Sequence, residues 1–66
     1  MNDYNAGYVA GIEEILHLIE VTKYKPLEAT DLAEKGDPGE GYPRQWYDGR
    51  EDAITKLYYL FRSLEV

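Results

Sequence analysis

Apolar residues recur at helical spacing in two long stretches of this chain and thin out between them. Tyr4, Tyr8, Ile12, Ile15 and Ile19 follow at intervals of four, four, three and four, with Leu16 beside them. This stripe predicts an amphipathic helix over residues 3–24. Asn2 or Asp3 can cap its start, where a negative charge suits the helix dipole. At ~100° per residue, Glu13, His17 and Glu20 fall opposite the stripe, and Gly7, Gly11 and Leu18 lie along one flank. The second stretch carries Ile54, Leu57, Phe61 and Leu64 at intervals of three, four and three, widened by Ala53, Tyr58 and Leu60. It predicts a last helix starting at Asp48, since Asp48 and Glu51 have capping-box spacing. Tyr59 falls on the opposite face, with Asp52, Thr55 and Ser63.

Between the stripes, Lys25-Pro26 ends the first helix, because the residue before proline avoids helical angles. Pro26 then suits the first position of a short helix over residues 26–35, closed by Gly36. Leu27, Thr30 and Leu32 are its only apolar or semi-apolar side chains beyond two alanines. It should bury a thin edge and lie at the periphery. Residues 36–47 form a connector: Asp37-Pro38-Gly39 signals a turn, and Gly41-Tyr42-Pro43 an extended piece or another turn. The expected fold is all-α, a single domain over residues 1–66. Its form is a small helical hairpin, with two long amphipathic helices facing each other, a short middle helix and a Gly/Pro-rich aromatic connector.

Gly7 and Gly11 are candidate helix-packing residues. Each glycine costs ~1 kcal/mol against alanine inside a helix. Two in one turn point to a closely approaching backbone, expected to be that of the last helix rather than a partner's.

Length sharpens the question of stability. A single core in a chain of 66 residues supplies only ~3–5 kcal/mol. Cysteine is absent, which excludes disulfides and thiolate metal sites. Good packing, a homodimer or a permanent partner must supply the rest. Thirteen acidic residues against seven basic ones leave a net charge of −6. That balance opposes direct nucleic-acid binding and favours either a basic partner or simple solubility. Met1, Asn2 and Asp3 lack the start of a signal peptide, and no apolar run approaches the ~20 residues of a membrane span. A cytoplasmic location, with no membrane contact, is the expectation.

Candidate chemistry is sparse. Ser63 is the only serine and His17 the only histidine, and His17 should face solvent beside Glu13. No nucleophile and base come together, so no enzyme is expected and no catalytic residue is assigned. Asp37, Glu40, Asp48, Glu51 and Asp52 could crowd a Ca²⁺ ion, but they lack the regular ligand spacing of an EF-hand loop. Neither a metal site nor a cofactor is expected.

Two features carry more weight. Glu28, Asp31, Glu34, Asp37 and Glu40 recur at every third residue. The first three share one helix face at ~5–6 Å spacing. Such a row either mimics phosphates toward a partner's nucleic-acid-binding surface or is a solvated helix edge, and Lys35 interrupts it. The second feature is aromatic. Tyr42, Arg44, Trp46, Tyr47 and Arg50 bring together the three residue types that dominate interface hot spots. Trp46 can plug the gap between the helices or meet a partner. Tyr42, Tyr47 and Tyr59 are the expected exposed contacts. Stacking on single-stranded nucleic acid is disfavoured, because the nearby acids outnumber Arg44 and Arg50.

In general character (short, acidic, Tyr-rich, Cys-free) the chain is similar to small acidic accessory proteins of phages and mobile elements, including inhibitors of host defence. That resemblance of type specifies no site. The net charge, the exposed aromatics and the missing catalytic set lead to the expectation of a non-catalytic protein–protein interaction module, an inhibitor or modulator that binds a host protein. A structural homo-oligomeric helical module and a small metal-dependent regulator are the alternatives.

Overall fold

The structure is a computed structural model that describes residues 2–65. The described chain is all-α: α1 spans Asp3–Glu20, α2 Pro26–Lys35 and α3 Arg44–Leu64. Asn2 caps α1, its side-chain oxygen accepting from the Asn5 N–H at 2.7 Å. α1 stops four residues before the expected Tyr24. The Thr22 hydroxyl donates back to the Leu18 carbonyl, Lys23 turns at φ 64°, and the Tyr24 N–H also returns to Leu18, at 3.1 Å. A hydroxyl competing for helix carbonyls, followed by a left-handed residue, turns the chain ahead of Pro26. α2 begins at Pro26 as its spacing predicts.

α3 begins at Arg44 rather than Asp48. Pro43 precedes it at φ −60°, and its carbonyl accepts from the Trp46 N–H at 3.0 Å. Trp46, Tyr47 and Asp48 are therefore helical, and Asp48 lies on the solvent side instead of capping the helix. Gly49 is buried inside α3.

Its burial follows from how α1 and α3 meet. A Cβ placed on Gly7 would lie 1.8 Å from the Trp46 carbonyl oxygen, and one on Gly49 would lie 2.0 Å from that of Tyr4. Each glycine directs a Cα hydrogen at a carbonyl of the other helix, a reciprocal pair of Cα–H···O contacts worth ~0.5–1 kcal/mol each. One turn on, Gly11 sits against Arg50 and Ala53. Gly7 beside Trp46 and Gly11 beside Arg50 fix the direction: α1 and α3 run parallel. The two long helices face each other as expected, but α2 carries the chain back between them, so the third helix starts where the first one did.

α2 is not the thin peripheral edge its composition suggests. Ala29, Thr30 and Ala33 are each at most 1% exposed. Small side chains let its backbone settle into the groove between α1 and α3. The core joins Ile15, Ala29, Ala33 and Ile54, with Leu18, Ile19, Leu57 and Phe61 packed around them. Arg50 ties the three helices together. Its Nη2 donates to Glu14 of α1 at 2.6 Å and to the Ala33 carbonyl of α2 at 2.8 Å. That carbonyl is one of the last four of α2, which have no partner within the helix.

Candidate functional site

The connector aromatics form a closed cluster at the start of α3. Tyr42 stacks on Trp46 with centroids 3.8 Å apart and planes 8° from parallel. Tyr47 meets both rings edge-on, at 5.9 and 5.2 Å. The Tyr47 hydroxyl donates to the Gly39 carbonyl at 2.7 Å and accepts from the Tyr42 N–H at 3.4 Å. These bonds fold residues 39–43, where Gly39 and Gly41 both adopt φ 95°, back onto the helix. Trp46 and Tyr47 are half-buried, while Tyr42 and Arg44 remain exposed. The cluster thus serves first as the clasp of the connector.

Arg50 leaves the set of exposed contact residues. Its side chain is 9% exposed and its charge is taken by Glu14. Tyr59 stays exposed on α3, edge-on to Tyr58 at 5.3 Å. In the acidic row, Glu28, Asp31 and Glu34 are exposed along α2. Asp31 pairs with Lys35 at 3.1 Å, and Asp37 accepts from the Gly39 N–H at 2.9 Å as the anchor of its own turn. Glu40 is exposed in the connector.

Residues from both sequence features meet in one place. A groove of about 290 Å³ runs between the end of α2 and α3, lined by Glu34, Pro38, Tyr47, Glu51, Ile54 and Thr55 among others. A second hollow of about 230 Å³ continues it along α3, sharing Glu34, Ile54 and Thr55 and adding Tyr58 and Tyr59. Glu34 of the acidic row thus shares a channel with Tyr47 and Tyr59 of the aromatic set. Ile54 forms its floor, and Glu51 is a further acid. Arg50 also lines it, but its guanidinium is bonded inward to Glu14 and Ala33. The free charge of the groove is therefore negative. The sequence reading missed Glu51 and Ile54 as site residues. The available signal was their placement three apart on α3, on the side that α2 must cover.

A wider polar hollow of about 670 Å³ lies between the start of α1 and α3, lined by Asn2, Tyr4, Gln45, Asp48, Glu51 and Asp52. Glu51 borders both hollows, so the acidic surface is continuous from α2 across α3. The Tyr4 hydroxyl donates to Asp52 at 2.6 Å. That hydrogen bond, with some burial and the carboxylate charge behind it, holds the phenol above its usual 10.0. His17 and Ser63 are exposed and lie on different helices. Among the described residues no group of three or more His, Asp or Glu side chains is placed to hold a metal ion. No helix there is long and apolar enough to cross a membrane. No family model matches the chain, and no curated protein or solved structure is significantly similar to it.

Proposed function

We propose that this chain is a non-catalytic protein-binding module whose α2–α3 groove receives a basic segment of a partner protein. It acts as a small inhibitor or modulator that occupies a basic surface, including a surface that otherwise binds nucleic acid. The observation that carries this reading is that Glu34, Ile54 and Thr55 are shared by two adjoining hollows, one lined by Tyr47 and Glu51 and the other by Tyr59. An arginine or lysine suits each part of it. The aliphatic stem lies along the apolar floor while the head reaches the carboxylates. Tyrosine faces within ~6 Å of the cation add ~0.5–1 kcal/mol at exposed sites. The net charge of −6 steers a basic partner toward the surface and makes the encounter sensitive to salt.

Calorimetric titration with a synthetic peptide alternating arginine and leucine tests the reading. The double variant Glu34→Lys/Glu51→Lys should bind at least about tenfold more weakly, a loss of ~1.4 kcal/mol. Equal affinity for the wild type and the variant would refute the groove as the binding site.

A further inference from the structure

We infer that the face of the α1–α3 pair opposite α2 is a two-fold interface with a second copy of this chain. The packing directions identify that face. α2 lies on the side of the pair that carries Glu14 and Arg50. With α1 and α3 parallel, ~100° per residue places Ile12, Leu16 and Ile19 of α1 on the opposite side, together with Lys56 and Leu60 of α3.

This strip is core pattern without a cover. On α3, Leu60 is 51% exposed. Beside it on α1, Leu16 is 45% exposed and Ile12 and Ile19 are half-buried.

The surface area leaves room for a cover. The chain exposes 4814 Å², whereas a folded monomer of 7.6 kDa is expected to expose about 4,300 Å². The surplus of about 500 Å² approaches the roughly 600 Å² that each partner gives to a small stable interface. Charge favours a second copy as that cover. Lys56 makes no ion pair among the described residues, and Glu13 and Glu20 border the strip on α1. A two-fold axis through the strip lays α1 of one copy across α3 of the other, which brings Lys56 toward that acidic border. The glycines are consumed inside each copy, so this interface is built from leucine and isoleucine and not from the small residues of α1.

Sedimentation equilibrium of the full chain between about 1 and 500 µM, the range of weak to moderate interfaces, tests the inference. The expected result is a mass rising to twice 7.6 kDa. Leu60→Glu and, separately, Leu16→Glu should each raise the dissociation constant about tenfold or more, with helical circular dichroism unchanged, because both side chains are already half-exposed. Glu34→Lys/Glu51→Lys should dimerise like the wild type, which separates this face from the groove. A mass of 7.6 kDa throughout the range overturns the proposal and leaves the strip to a chemically different partner. Wild-type dimerisation by both leucine variants overturns it as well.

Discussion

At the scale of single residues, Arg50 links all three helices. It is a buried cation that neutralises Glu14 on α1 and satisfies a terminal carbonyl of α2. Removing it leaves both groups unpaired and opens a void among the helices. Glu14 keeps 37% of its side chain exposed, so water softens part of the loss. Arg50→Ala should then cost about 2–3 kcal/mol in urea unfolding. Unchanged stability would show that the link between the three helices is dispensable. Tyr4 gives a pH test of the same kind. Its folded-state value lies above 10.0, so the bond to Asp52 contributes stability that is whole below pH 10 and is lost as pH rises through the raised value. Tyr4→Phe should flatten the fall in stability above pH 10, and identical alkaline profiles for the two proteins would contradict this. Neither role was legible beforehand. Glu14 and Arg50 lie 36 positions apart, and Tyr4 and Asp52 lie 48 apart. A charged residue in an aromatic stretch reads naturally as surface until its partner is located.

At the scale of elements, the periodicity of apolar residues was enough to place the two long helices, and Pro26 and Gly36 bounded α2. The periodicity missed the end of α1, set by Thr22 and Lys23, and the start of α3, set by Pro43. It also missed the burial of α2, because the packing there is governed by small residues, which hydrophobicity underweights. Gly7 and Gly11 on α1, Gly49 and Ala53 on α3, and Ala29 and Ala33 on α2 each stand four apart. All six are buried. Read only as weak apolar residues, the alanines make α2 a peripheral edge. Read as sites of close approach, all six predict where each helix meets its neighbours. Gly7→Ala isolates the effect. The substitution gains ~1 kcal/mol of helix propensity, but its Cβ would overlap the Trp46 backbone, which cannot move without shifting α3. A net loss of about 2 kcal/mol or more is expected in chemical denaturation. A variant as stable as the wild type would mean that the α1–α3 crossing is looser than described.

At the scale of the molecule, the return of α2 has two consequences that the sequence pattern did not reveal. It makes the long helices parallel, and it gives the pair two unlike sides. The α2 side carries the acidic, tyrosine-lined groove, and the bare side carries the leucine strip. The aromatic and acidic residues were recognised in the sequence as separate features. Their meeting point depends on α2 ending beside Tyr47, which no local spacing encodes. Amide chemical-shift mapping of the ¹⁵N-labelled chain shows whether this groove binds a basic segment. On titration with the arginine–leucine peptide, the shifts should concentrate at Glu34, Tyr47, Glu51 and Thr55 and fade with added salt. Shifts spread evenly over every acidic surface, or centred on Leu16 and Leu60, would contradict it.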